Sequence, residues 1–230
     1  MADILTFNED LHEYRLNERK IPSVTQILAD LSFIDDSFFT LESRERGRKV
    51  HKITELYDDG SLDMETVDPR LKGYLDAWIS FLEATSFVPT MIEKRVFNAH
   101  LFYAGTLDRK GVNGKGKSVI LDIKSGVPAN WHAFQCSAYT LCEDADELLT
   151  VYLKEDGKFR VEEHDKKKSI NGWLNIIDIF VYASHWNVLE WSPCLGLVAL
   201  KDRQDHFIGK RYGFHLPSSS LSIGTTTQFR

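Results

Sequence analysis

The chain has 230 residues, 43% of them hydrophobic, which is ample for one well-buried domain. It holds no run of about 18 apolar residues, so no membrane span is expected, and its opening MADILTFNEDLHEY lacks the basic and apolar regions of a signal peptide. The formal net charge of −6 argues against a uniformly basic surface for polyanions, so any contact with nucleic acid has to come from local charge.

Residues 4–7 and 12–17 read as a short β-hairpin around Glu9 and Asp10. Ser23 follows Pro22 and precedes Gln26 by three residues, a capping-box pattern that predicts a helix to about Leu31. Phe33 to Thr40 is aromatic and reads as loop. From Arg44 to Tyr57, the residues Val50, Ile53, Leu56 and Tyr57 recur at helical spacing, and Asp58-Asp59-Gly60 ends that helix. Its first half carries Arg44, Arg46, Arg48, Lys49 and Lys52 against Glu45 alone, a basic run that brackets His51. Such a run is either a solvated helix face or a phosphate contact. Asp68 as N-cap and Pro69 at the first helical position open the next helix, whose stripe of Leu71, Tyr74, Leu75, Trp78, Ile79 and Leu82 is core.

Strands are predicted at about 90–97, 101–109 and 118–124, the last two joined as a hairpin by the GKGK turn near Gly114. A helix from Trp131 to Cys142 follows, with Gln135 and Tyr139 one turn apart on one face. Residues 148–153 and 158–163 read as another hairpin around Asp156-Gly157. Lys166 to Lys168 open a last helix that buries Trp173, Leu174, Ile177 and Val181; lysines at a helix start oppose its dipole and are expected in solvent. Beyond about residue 191, Gly, Pro, Ser and Thr appear without a sustained period, which predicts a flexible tail. Cys136, Cys142 and Cys194 form no zinc pattern and leave one thiol unpaired in any disulfide scheme, which suits a reducing cytoplasm.

Chemistry concentrates between Glu93 and Tyr139. Side chains two apart on a strand share a face, so Asp122 and Lys124 point the same way. The preceding hairpin brings Asp108 towards Asp122. Two clustered carboxylates repel unless a cation or proton lies between them, and hard oxygen ligands favour Mg²⁺ or Mn²⁺. A surface salt bridge between Asp122 and Lys124 would leave the same triplet, and a lone His51 or a Gln135–Tyr139 pair also serves structural roles.

The ordered set is more specific than its parts. G-x-x-x-H (Gly47, His51), a strand Glu (Glu93), G-x-x-D (Gly105, Asp108), D-x-K (Asp122, Lys124) and Q-x-x-x-Y (Gln135, Tyr139) resemble the PD-(D/E)XK nuclease superfamily, in its RecB-like and phage-exonuclease-like branch. The segment HEYRLNERKIPSVTQIL resembles the opening of phage and prophage members, and the resemblance covers roughly residues 10–190. It implies an α/β, restriction-endonuclease-like fold over residues 1–190: a central mixed β-sheet flanked by α-helices, with an N-terminal β-hairpin and helices, the site at a sheet edge, and an irregular tail at 191–230.

The resemblance also implies a metal-dependent DNA exonuclease of phage or prophage recombination and repair, leaving 5′-phosphates and working beside a single-strand annealing protein. Asp108, Asp122 and the carbonyl of Ile123 would hold Mg²⁺ or Mn²⁺, with His51 as an additional ligand. Glu93 would bind a second ion or orient water. Lys124 would position the attacking water, and Gln135 and Tyr139 would orient the scissile phosphate or brace Lys124. Arg48 would contact substrate, and Arg109 would clamp a phosphate or form a salt bridge. Some relatives carry a four-cysteine iron–sulfur cluster, for which three cysteines do not suffice. Two other readings remain: a catalytically silent module that binds DNA ends for a recombinase, and an RNA-processing nuclease.

Overall fold

The computed structural model describes residues 3–35 and 39–185. The chain divides into two units, Met1–Val181 and Tyr182–Arg230, and the first contains every element below except the end of the last helix. The expected tail at 191–230 lies outside the described residues.

Strands β1 (Leu5–Asn8), β2 (Glu13–Leu16) and β3 (Arg19–Ile21) form a small antiparallel sheet in that order. Alternation turns Tyr14, Leu16 and Ile21 inward, where they pack with Ala104. The third strand was not expected. Its turn is Asn17-Glu18 with φ of 50° and 67°, a positive-φ pair made without the glycine that usually advertises it.

The capping box forms as read: Ser23 Oγ accepts from Gln26 N at 3.1 Å and Gln26 Oε1 accepts from Ser23 N at 2.8 Å, starting α1 (Val24–Asp30). Helix α2 (Leu41–Asp58) begins a turn earlier than predicted because Thr40 caps it, accepting from Ser43 N at 3.1 Å. Asp68 and Pro69 open α3 (Pro69–Thr85), which buries Tyr74, Leu75, Ala77, Trp78 and Phe81.

The main sheet has the order β4 (Val88–Asn98), β5 (Tyr103–Val112), β6 (Ser118–Lys124), β7 (Glu147–Leu153), β8 (Phe159–His164). Only β6 and β7 are parallel, and α4 (His132–Thr140) makes the crossover that a parallel pair requires. Val119, Leu121 and Ile123 on β6 pack with Val50, Trp78 and Phe81 from α2 and α3. By alternation Asp122 and Lys124 face the other side, where α4 lies. Helix α5 (Lys166–His185) buries Trp173, Ile176, Ile177 and Phe180, while Leu174 and Val181, expected inside, are half-buried. Its apolar stripe is therefore rotated from the predicted one. A mixed sheet flanked by helices and preceded by a small antiparallel sheet is the α/β architecture expected, consistent with a restriction-endonuclease-like fold. Among the described residues no helix is long and apolar enough to cross a membrane.

Candidate metal centre

The centre forms where the β5–β6 ladder ends and the β4–β5 ladder skips one residue. The β5–β6 ladder runs from Val112↔Ser118 to Arg109↔Leu121. One residue further along, the Asp108 side chain replaces the backbone as acceptor: its Oδ2 takes the Ile123 N–H at 2.7 Å. Asp108 is thereby locked beside Asp122 and Ile123. Gly105 makes room for this end of the strand, since a Cβ there would lie 2.7 Å from Tyr139 Cε1.

On edge strand β4 the register passes from Ile92↔Arg109 to Lys94↔Leu107 with no pair for Glu93, whose φ is +45°. A non-glycine residue in the left-handed region costs about 1–3 kcal/mol, and such strain gathers at functional sites. The bend aims Glu93 at His51, which α2 delivers from the opposite face of the sheet. Glu93 Oε1 lies 3.4 Å from His51 Nδ1, Asp108 Oδ1 lies 3.7 Å from the same nitrogen, and His51 Nε2 lies 3.0 Å from the Ile123 carbonyl oxygen. One ligand atom from each of His51, Glu93 and Asp108 falls within 4.8 Å of the others. These three side chains could hold a metal ion, and the Ile123 carbonyl is beside them.

Asp122 belongs to a neighbouring group. Its side chain is 1% exposed and both oxygens lie close to Lys124 Nζ, at 2.9 Å for Oδ1 and 2.8 Å for Oδ2. The angle suits a hydrogen bond only at Oδ1, so Oδ2 is a buried oxygen with an ion contact and no hydrogen bond. Lys124 also donates to Gln135 Oε1 at 3.1 Å and sits 5.2 Å from the Trp131 ring centre. Gln135 Nε2 in turn donates to Tyr139 Oη at 3.4 Å. Gln135 and Tyr139 are both buried, Gln135 against Lys124 and Tyr139 against Gln135. Trp131 was not singled out from the sequence; its place directly before α4 carries no periodic signal.

Arg109 differs from one of its two expectations. Its side chain is fully buried, so it is no clamp for an incoming phosphate; it is the salt-bridge partner instead. Nε donates to Asp58 Oδ2 at 2.6 Å, Nη2 to Thr54 Oγ1 at 3.1 Å, and Nη1 to Glu93 Oε1 at 2.9 Å and to the Asp108 carbonyl at 2.7 Å. Asp58, read only as a helix end, also accepts from Trp78 Nε1 at 2.8 Å. A signal existed, because Asp58 follows His51 by seven residues and so shares its side of the helix. Arg48 is exposed on α2, one turn before His51.

Charge explains the arrangement. Burial acts to lower the His51 pKa, but the Asp108 and Glu93 carboxylates outweigh it and raise it to about 9. At neutral pH the ring is an imidazolium, donating to the Ile123 carbonyl from one nitrogen and facing carboxylate oxygens with the other. Burial pushes the Asp108 and Asp122 carboxyls above the usual range, against the pull of His51 and Lys124 respectively, with Asp122 reaching about 6. Burial alone would lower the Lys124 pKa; Asp122 and Asp108 reverse the direction and raise it. The centre therefore demands positive charge and holds a proton to meet that demand. With a donor set of carboxylates, one carbonyl and one imidazole, these residues fit a divalent cation.

No family model and no curated protein matches the chain. Among solved structures it is similar to the crystal structure of SSO0001, at 16% identity over 66% of this chain and 82% of that one, with a TM-score of 0.29. It is also similar to LHK-Exo in complex with dAMP, at 11% identity over 83% of this chain and 92% of that one, with a TM-score of 0.40. At these TM-scores the likeness bears on neither the site nor its chemistry.

Proposed function

We propose that this chain is a divalent-metal-dependent nuclease that hydrolyses DNA phosphodiester bonds, acting from the ends of linear DNA in phage or prophage recombination or repair. The observation that carries the reading is the convergence of His51, Glu93, Asp108 and the Ile123 carbonyl beside the Asp122–Lys124 pair. His51, Asp108 and Glu93 are the proposed side-chain ligands, with Ile123 supplying a carbonyl and Asp122 a further carboxylate. Mg²⁺ and Mn²⁺ suit the oxygens, and the imidazole nitrogen favours Mn²⁺ of the two. Such an ion supplies Lewis acidity, activating a water and polarising a phosphoryl oxygen.

The remaining roles fall to the chain's own groups. Lys124 carries an ammonium, which cannot ligate a cation. Fixed by Asp122, Gln135 and Trp131, it orients the attacking water and offsets charge that builds on the phosphate. To hold an ion, His51 would have to give up one ring proton, so metal binding there would release a proton. Arg48, exposed one turn from His51, contacts a backbone phosphate.

One observation favours a second reading, a silent module that binds DNA ends: Asp122 and Lys124 neutralise each other without an ion. Incubating linear duplex, single-stranded DNA, closed circular DNA and RNA with Mg²⁺, Mn²⁺ or EDTA separates the readings. Metal-dependent loss of linear DNA with circles intact is expected. Equal cutting of circles moves the assignment to an endonuclease, cutting of RNA alone moves it to RNA processing, and DNA binding without cleavage supports the silent module.

A further inference from the structure

The fully buried Arg109 guanidinium takes no direct part in the chemistry above, yet it reaches the Glu93 carboxylate and the Asp108 carbonyl. We propose that Arg109, anchored by Asp58, is a positioning residue for the metal centre: it fixes the Glu93 carboxylate against His51 and Asp108. The proposal rests on the metal-site reading above.

The geometry divides the donors of one planar fork between an anchor and a load. Behind, Nε and Nη2 bind Asp58 and Thr54 on α2, at 2.6 and 3.1 Å. Asp58 is itself 1% exposed and tied to Trp78 Nε1 on α3, so the anchor is part of the core. In front, the single nitrogen Nη1 reaches Glu93 Oε1 at 2.9 Å and the Asp108 carbonyl at 2.7 Å. One atom therefore ties the Glu93 carboxylate to the β5 backbone at the residue that carries the Asp108 ligand.

Glu93 needs such a support. It sits mid-strand at φ +45°, without a partner of its own on β5, although Ile92 and Lys94 on either side are paired. Arg109 and His51 both meet Oε1, and among the described residues Oε2 takes no hydrogen bond. The carboxylate is thus gripped by one oxygen and left free at the other. Partners that orient a ligand in this way govern metal affinity even though they do not touch the ion. A lysine at 109 would keep the charge but not the fork, because a compact ammonium cannot span Asp58 and Glu93 with fixed donors.

The experiment is a Mn²⁺ titration by calorimetry, with thermal melting as the control for folding. It compares the wild type, Arg109→Lys, Glu93→Gln and the double variant. Arg109→Lys is expected to melt cooperatively and to bind Mn²⁺ more weakly by on the order of tenfold or more. Added to Glu93→Gln, it should weaken Mn²⁺ binding no further, since its effect passes through Glu93. A folded Arg109→Lys with wild-type Mn²⁺ affinity overturns the proposal, as does an equal additional loss in the Glu93→Gln background. If Arg109→Lys does not fold, Asp58→Asn decides in its place: it retains an acceptor for Trp78 and loses the anchoring charge, and the same two criteria apply. A wild-type protein that binds no Mn²⁺ refutes the metal-site reading itself and this proposal with it. Wild-type binding with an unaffected Arg109→Lys sinks the proposal alone.

Discussion

Replacing Lys124 with alanine separates the assembly of the centre from its chemistry. In the folded protein the ammonium lies 2.8–2.9 Å from both Asp122 oxygens and 3.1 Å from Gln135 Oε1. Two costs follow. The first is structural: Asp122 is left buried without its cation, which is worth about 1–3 kcal/mol for an unsatisfied buried group. For a chain of this size each kcal/mol moves Tm by about 2–4 °C, so a fall of roughly 2–12 °C is expected. The second is catalytic: losing one positioned charge stabiliser costs on the order of 10² to 10³ in rate. Metal binding should survive, because none of His51, Glu93 and Asp108 loses a direct side-chain hydrogen bond. The assay is single-turnover cleavage of linear DNA below the melting range, with Mn²⁺ and DNA binding titrated in parallel. Wild-type cleavage by Lys124→Ala would refute the reasoning and demote the Asp122–Lys124 pair to a salt bridge.

Removing the His51 ring should weaken Mn²⁺ binding by on the order of tenfold or more, and unchanged affinity in calorimetry would return this histidine to a purely structural role. Mn²⁺ affinity should rise with pH from 5 to 8, because protons compete with the ion at His51, whose pKa is about 9, and at Asp122, at about 6; a flat profile, with proton release absent when buffers of different ionisation enthalpy are compared, would contradict this. Because folding raises the Asp122 pKa, its protonation stabilises the fold at low pH, and that contribution is lost as pH rises through about 6. Mn²⁺ should therefore raise Tm more at pH 8 than at pH 5, an effect that EDTA abolishes. Gly105→Ala forces a Cβ to 2.7 Å from Tyr139 Cε1, so it should cost about 1–3 kcal/mol by overpacking and slow cleavage through the Tyr139–Gln135–Lys124 brace; a variant with unchanged Tm and rate would show that the site relaxes freely.

Much of the fold is legible because its signals are local. A serine three residues before a glutamine closes a capping box whatever the rest of the chain does, and Asp68-Pro69 starts α3 for the same reason. The alternation at 119–124 placed Asp122 and Lys124 on one face before any partner strand was known. The β3 turn was missed because Asn17-Glu18 turns at positive φ without a glycine, and the early start of α2 was missed because its apolar period begins only at Val50, well after the threonine that caps it.

The candidate centre divides the same way. From the sequence alone came the residue types, their order, and the hairpin that draws Asp108 to β6. Tertiary structure alone decided who meets whom. Periodicity says which residues share a face; it does not say that β4 leaves Glu93 unpaired at a positive φ, or that Asp122 takes Lys124 while Glu93 joins His51 and Asp108. An arginine after a strand aspartate reads equally as a clamp or a buried ion pair, and the choice rests on whether a carboxylate 51 positions away in the chain is folded beneath it. Asp58 lies there because α2 and α3 cover that face of the sheet, and their packing is a property of the whole core, not of any local run of residues.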